Sequence, residues 1–277
     1  IHIQLEDIFK WFFEEYLKKE FSAIGFSYSP PSVGTTYSEK CKLLAIAIDG
    51  TLKQFRLFCE DGYVDRELLE MSSEHVIFSE IHSTIKNKYA YLNSNSIQKE
   101  MLLLFSDQSI LILNKKAQKR CTNLSQLLVS EKMQRNDFEE YQLHELDWLI
   151  DRGTIYLSDG NYLQINVTRA VILKKLFDKE VLCPRYFNDR IVQLIEQLIS
   201  TGDMYYENTL FSKPEQAYLN YALNRSEFSN GLDLRNKYCH DSCSLDEKTQ
   251  QEDYWQLLKI MVFIIIKINE EFCVNNP

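Results

Sequence analysis

The sequence predicts a mainly α-helical protein with more than one domain. Only eight Gly and five Pro occur in 277 residues, too few for the many turns of an all-β sandwich or barrel. Hydrophobic residues make up 45% of the chain, which is typical of a protein with a packed core rather than a disordered one. The length fits two or three domains. We expect an N-terminal helical region at 1–120, a winged-helix-like unit at 121–180 and a helical bundle at 181–277.

The N-terminal region begins with a helix at Leu5–Phe21, because Ile8, Phe12 and Tyr16 recur on one face. Pro30 and Pro31 cannot continue a helix and indicate a loop. Further helices are expected at 38–58, 64–71 and 74–88. Residues 109–113 fit either a buried strand or part of a helix, since so short an apolar run has no decisive period.

The middle of the chain predicts a helix followed directly by a hairpin. The helix is expected at 137–151, and Gly153 is its C-terminal stop. Extended segments at 154–157 and 162–165 are joined through Asp-Gly, a strong hairpin-turn pattern. A helix with an adjoining hairpin resembles the recognition helix and wing of a winged-helix domain.

The charge of that helix argues against sequence-specific DNA binding. A DNA-reading helix needs basic and amide side chains to meet phosphates and base edges. Here it carries six carboxylates, at Asp137, Glu139, Glu140, Glu145, Asp147 and Asp151. We therefore expect a structural or protein-contact role for the winged-helix-like unit.

The overall composition narrows the partners and the compartment. A net charge of −9 argues against coating duplex DNA or an anionic membrane. The apolar run at 260–266 is flanked by lysines and is too short to span a bilayer. Seven dispersed Cys, with no signal peptide in 1–7, are typical of reduced thiols, so a cytoplasmic location is expected. The missing initiator Met fits a piece of a longer protein.

The C-terminal region is expected to form a compact helical bundle. Its predicted helices lie at 188–200, 214–224, 232–240 and 246–272. The third of these carries Arg235, Asn236 and His240. Arg is a permanent cation with a planar fork of donors suited to a phosphate, and His exchanges protons near neutral pH. Asn can orient either the imidazole or the phosphate.

The spacing of these residues raises a geometric difficulty. Asn236 and His240 are i, i+4 neighbours, whereas Arg235 and His240 lie about 140° apart around a helix. A frayed helix end, or a second copy of the motif from a partner protomer, would bring the two side chains together. His2, His75, His82 and His144 have no partner spacing of this kind.

The string Leu234-Arg235-Asn236-Lys237-Tyr238-Cys239-His240 resembles the R-polar-x-x-x-H motif of the HEPN superfamily of helical-bundle ribonucleases. The resemblance implies metal-independent RNA cleavage, in which the ribose 2′-hydroxyl attacks the adjacent phosphate. It implies acid/base catalysis by His240, charge stabilisation by Arg235 and orientation by Asn236. It also implies a homodimer, a place in antiphage or stress defence, and often an upstream sensor domain or partner subunit. The sequence departs from many relatives at Asp241, where they have a small residue.

RNA binding would need a local basic surface. Residues 212–277 carry seven Lys and Arg against ten Asp and Glu. Lys237 lies within the motif, and a basic string outside the bundle supplies Lys115, Lys116, Lys119 and Arg120. Such a string more often forms a solvated face.

The sequence is also compatible with functions other than a ribonuclease. The bundle could instead be a catalytically inactive dimerisation or scaffold module of a larger sensor protein. Cys239 and Cys243 flank His240, but a structural zinc site needs four ligands and no second cluster is present, so no metal is expected. The sequence has no Gly-rich phosphate loop, and no cofactor is expected.

Overall fold

The computed structural model of the chain describes residues 4–32, 34–71, 75–113, 121–225, 227–240 and 244–275. It is mainly helical, as predicted. The helices are α1 Leu5–Trp11, α2 Leu17–Phe21, α3 Tyr37–Asp61, α4 Arg66–Met71, α5 Asn95–Phe105, α6 Leu124–Ser130, α7 Glu140–Asp151, α8 Val167–Lys179, α9 Asp189–Ser200, α10 Lys213–Leu223, α11 Leu234–Cys239 and α12 Glu247–Asn275. The strands are β1 Tyr89–Leu92, β2 Ile155–Leu157, β3 Leu163–Ile165 and β4 Met204–Glu207. Within the described ranges, no helix combines the length and apolarity needed to cross a membrane.

The chain folds into two compact units. The first contains 1–86 and 208–277, and the second contains 87–207. These bounds differ from the three regions expected from the sequence, because the predicted region 181–277 contributes to both units. The physical reason is that α3, near the start of the chain, packs along α12 at its end. Local patterns do not reveal such long-range pairing.

The first unit has an aromatic-rich core. The ring of Phe272 on α12 lies 5.1 Å from that of Phe58 and 5.3 Å from that of Phe21. Phe13 and Phe55 are also almost completely buried. Large aromatic side chains remove much apolar surface from water, so these contacts join the two ends of the chain into one core.

Capping interactions define the ends of α3. The Thr36 hydroxyl accepts a hydrogen bond from the Glu39 backbone N–H at 3.3 Å, and the Glu39 carboxylate accepts one from the Thr36 N–H at 3.0 Å. This reciprocal arrangement satisfies two donors at the start of the helix. Gly62 follows the helix with φ +79°, a left-handed conformation suited to glycine.

The second unit contains α5 to α9 and two small antiparallel sheets. One sheet pairs β1 with β4, from Tyr89↔Glu207 to Leu92↔Met204, and the other pairs β2 with β3. The predicted helix at 137–151 and the hairpin that follows it are confirmed by α7, β2 and β3. The winged-helix assignment itself stays a prediction.

A buried carboxylate ties the second unit together. Glu100 on α5 is completely buried and accepts hydrogen bonds from Arg169 Nε at 2.5 Å and Nη2 at 2.8 Å. It also accepts from Arg152 Nε at 2.8 Å and from the Thr154 hydroxyl. Burial alone would raise the pKa of Glu100, but the bonds from Arg169, Thr154 and Arg152 outweigh it and hold this pKa below its usual value.

Most of the remaining predicted elements agree with the structure to within a few residues. The predicted first helix comprises α1, a π-helical turn at Phe12–Tyr16 and α2. Residues 109–113 form neither a strand nor an α-helix but contain a 3₁₀ turn at Ile110–Ile112. Helices expected at 38–58, 64–71, 188–200, 214–224, 232–240 and 246–272 correspond to α3, α4, α9, α10, α11 and α12.

The helix predicted at 74–88 is wrong. The described part of this segment contains a 3₁₀ turn at Phe78–Glu80 and a bridge between His82 and Thr209. The Thr84 backbone N–H donates to the buried carboxylate of Glu271 at 2.7 Å. A tertiary partner on α12 therefore supplies bonds that a local helix would otherwise have made.

Candidate functional site

The predicted motif lies on the short helix α11. Asp233 precedes it with φ +56°, a left-handed conformation uncommon for a residue other than glycine. Its buried carboxylate accepts a hydrogen bond from Asn236 Nδ2 at 2.7 Å and pairs with Arg225 Nε at 2.8 Å. Asp233 therefore fixes the Asn236 amide and one arginine beside the start of the helix.

Arg235 is buried without a full set of partners. Only 9% of the residue is exposed, yet its Nε–H makes no hydrogen bond among the described residues. It forms a long ion pair with Asp49 on α3, with 3.9 Å between Nη1 and Oδ1. A guanidinium has five N–H donors, and leaving a buried one unpaired is costly. Such a group is typical of a site that holds an anionic ligand.

Asp49 is shared among several groups and does not neutralise Arg235 alone. Its Oδ2 lies 3.1 Å from Lys53 Nζ, and its Oδ1 accepts a hydrogen bond from the Val76 backbone N–H at 3.1 Å. The second contact holds the segment that contains His75 against α3. Sequence reasoning did not select Asp49, since nothing in its local pattern distinguishes it.

His75 is the functional candidate that the sequence missed. The pKa of its imidazole is lowered, first by partial burial and then by the positive charge of Arg235, with smaller contributions from Lys53 and His240. Asp49 opposes this shift. The imidazole is therefore neutral at pH 7 and lies within electrostatic range of both Arg235 and His240. No spacing rule could have found it, because it lies far from the motif in the sequence.

A cavity of about 500 Å³ opens beside these residues. Its walls are 75–79, one face of α10, and the α10–α11 connection at Arg225 and Glu227; Arg235 and Asn236 also line it. The volume lies within the range of small-molecule sites. Arg235 and Asn236 are thus brought together with His75.

The other predicted site residues lie elsewhere. His240 is exposed at the C-terminal end of α11 and is not among the residues that line the cavity. Lys237 is 3.4 Å from Asp253 on α12, a carboxylate that also accepts a hydrogen bond from the Tyr238 hydroxyl at 2.9 Å. Lys115, Lys116, Lys119 and Arg120 lie outside the described residues.

The described residues contain no group of three or more His, Cys, Asp or Glu side chains placed to hold a metal ion. Cys239 lies beside the motif, and burial raises the pKa of its thiol despite the nearby positive charges of Arg235 and Lys42. The thiol is therefore protonated at pH 7 and is a poor metal ligand in that state. Cys243 lies outside the described residues.

These features define a mainly helical protein with a buried arginine, a neutral histidine and a pocket of ligand size in its first unit. Comparison of the chain with protein-family models, with curated proteins and with solved structures finds no match. The resemblance to the HEPN superfamily therefore rests on the short motif and its helical setting.

Proposed function

We propose that this protein is a metal-independent endoribonuclease of the HEPN type, with RNA as its substrate. The observation that carries the proposal is the buried guanidinium of Arg235, whose Nε–H has no hydrogen-bond partner among the residues that the structure describes and which lines a cavity together with His75 and Asn236. A preorganised cation in a water-poor site stabilises the charge that develops on a phosphate during cleavage.

The reaction needs two proton transfers and no metal. The ribose 2′-oxygen bonds to the adjacent phosphorus, and the bond from phosphorus to the 5′-oxygen breaks. The products are a 2′,3′-cyclic phosphate and a 5′-hydroxyl. Neutral His75 takes the 2′-hydroxyl proton, His240 gives a proton to the leaving 5′-oxygen, and Arg235 binds the phosphate oxygens. Asn236, held by Asp233, orients the phosphate.

The position of His240 supports a homodimer as the working form. It is exposed at the end of α11, whereas Arg235 is buried on the same helix. Because Arg235 is buried beside the cavity and His240 is exposed and does not line it, a second copy of the motif would complete the site. We place this enzyme in the cytoplasm as an effector of antiphage or stress defence, activated through a sensor domain or partner subunit.

The test is cleavage of single-stranded RNA by the purified chain in the presence of EDTA. Arg235→Ala and His240→Ala are each expected to reduce the rate by 100-fold or more. Exposed residues of the second unit provide matched controls, and Arg190→Ala and His144→Ala should leave the rate unchanged. Equal cleavage by all four variants would remove the assignment. Failure of the wild type to cleave any RNA, alone or with an activating partner, would favour the scaffold function instead.

A further inference from the structure

The cavity beside Arg235 extends well beyond what a phosphate group needs. Along one wall, Gln216, Asn220 and Asn224 recur at intervals of four residues, so they form one row on α10 and its C-terminal end. Val76, Ile77 and Phe78 supply an apolar surface on the cavity wall. A site for a phosphate alone would need neither this amide row, formed by Gln216, Asn220 and Asn224, nor the apolar wall.

The charge of the cavity is concentrated around α11. Among the described residues that line it, Arg225 and Arg235 are accompanied by one carboxylate, Glu227, although the chain as a whole carries a net charge of −9. Arg225 is held by Asp233, and the Nε–H of Arg235 has no hydrogen-bond partner in the described parts of the chain. An anionic group would therefore bind beside α11, while the uncharged part of the same ligand would lie along α10.

At Gln216, hydrogen bonds to the protein fix which group of the side-chain amide can face a ligand. This residue is only 8% exposed, and its Nε2 donates to the Phe211 carbonyl at 2.8 Å and lies 3.4 Å from the Thr209 hydroxyl. Both of its N–H groups are thus directed to protein oxygens, and what it offers a ligand is its carbonyl oxygen. That oxygen can accept a hydrogen bond from an N–H donor on the edge of a nucleobase, such as an exocyclic amino group.

The other two amides hold each other in place. Asn220 Nδ2 donates to Glu227 Oε1 at 2.8 Å, and Asn224 Nδ2 donates to Asn220 Oδ1 at 3.3 Å. These contacts preorganise the row, which lowers the entropy cost of binding a planar polar ligand.

We propose that this cavity is a nucleotide subsite that binds one unpaired nucleotide, with its phosphate at Arg235 and an exocyclic amino group of its base, as in adenine, at Gln216. The proposal specifies which nucleotide the proposed ribonuclease binds, and it rests on that proposed function for the role of Arg235. It gives the proposed ribonuclease a preference for cleavage next to a base with an exocyclic amino group in single-stranded RNA. Inosine held in the same pose, with a 6-oxo group where adenine has a 6-amino group, would place two acceptors against each other and lose this contact.

The test is calorimetric titration of the full chain with AMP, inosine monophosphate and inorganic phosphate. AMP is expected to bind about tenfold more tightly than inosine monophosphate, the effect of one well-placed hydrogen bond. It is also expected to bind more tightly than phosphate. Equal affinity for AMP and inosine monophosphate would overturn base recognition. If inorganic phosphate bound as tightly as AMP, the cavity would be a site for an anion only, and the proposal would be wrong.

Variants separate this proposal from the proposed function. Gln216→Met should bring the affinity ratio of the two nucleotides close to one, with the exposed Gln197→Met as a matched control. Because Gln216 is buried, thermal melts of the variant establish that it folds, and the ligand series on the wild type does not depend on it. His240→Ala should still bind AMP, since His240 does not line the cavity. RNA cleavage without AMP selectivity would overturn the subsite alone, whereas AMP selectivity without cleavage would overturn the ribonuclease and leave the subsite standing.

Discussion

Replacing Arg235 by Met should make the protein more stable while abolishing the RNA cleavage that we propose. Arg235 and Arg169 form a matched pair, since they are 9% and 8% exposed. They differ in their partners. Arg169 donates two hydrogen bonds to Glu100, whereas Arg235 Nε has none among the described residues, and Arg235 Nη1 lies 3.9 Å from Asp49 Oδ1. The same substitution at the two positions therefore separates a structural arginine from a functional one.

The magnitudes follow from those contacts. A buried donor without a partner costs about 1–3 kcal/mol, so removing Arg235 should raise the free energy of unfolding by about 1 kcal/mol. The flexible Met side chain fills much of the same space, and Asp49 keeps its contacts with Lys53 and the Val76 N–H. Arg169→Met leaves Glu100 buried with fewer donors and should lower the free energy of unfolding by about 3 kcal/mol.

Urea unfolding gives these free energies, and hydrogen–deuterium exchange assigns each change to its own unit. RNA cleavage is measured on the same preparations. A gain in stability with loss of cleavage is the trade-off expected of a functional group. If Arg235→Met instead destabilised the first unit by several kcal/mol, the guanidinium would be a structural group, and the reasoning about the site would be refuted.

Three further predictions concern pH and capping. The proposed RNA cleavage should decline as the pH falls below 6.5, because His75, whose pKa is lowered, then becomes protonated and can no longer accept a proton. His75→Gln should remove this dependence from the pH–rate profile. Thr36→Ala should lower the free energy of unfolding by about 1 kcal/mol in urea, because the α3 cap is lost. Glu100→Gln should destabilise the second unit at pH 7. The difference in stability between the wild type and this variant should shrink below pH 4.5 in thermal melts. The reason is that the pKa of Glu100 is lowered in the folded protein, so its carboxylate contributes stability only while it is ionised. An unchanged difference at pH 3 would contradict that account.

The helices were largely predictable because their determinants are local. Periodic apolar residues and the carboxylates at the start of α12 lie within a few residues of the structure they specify, as do Gly153 and the Asp-Gly turn of the hairpin. The segment 74–88 was mispredicted for the opposite reason. Its backbone is bonded to Glu271, a residue at the far end of the chain, and no local pattern reveals that partner.

The candidate site was likewise predictable only in part from local sequence. Arg235 and Asn236 were identified from a short motif, and both line the cavity. His75 and Asp49 were not identified, because their role depends on the packing of α3 and α11 and on the placement of the segment around residue 75. The basic string at 115–120 remains a prediction, since it lies outside the described residues.

The sequence by itself determined the helical class and most helix positions, and it predicted the residues of a phosphate-binding motif, because each depends on neighbours along the chain. Only the tertiary structure decided that the two chain ends share one core and that Arg235 is buried without a full set of partners. It also decided that a distant histidine lies within electrostatic range of that arginine. Those properties arise from apolar burial between segments far apart in sequence, and burial is what makes an unpaired charge costly and therefore available to a ligand.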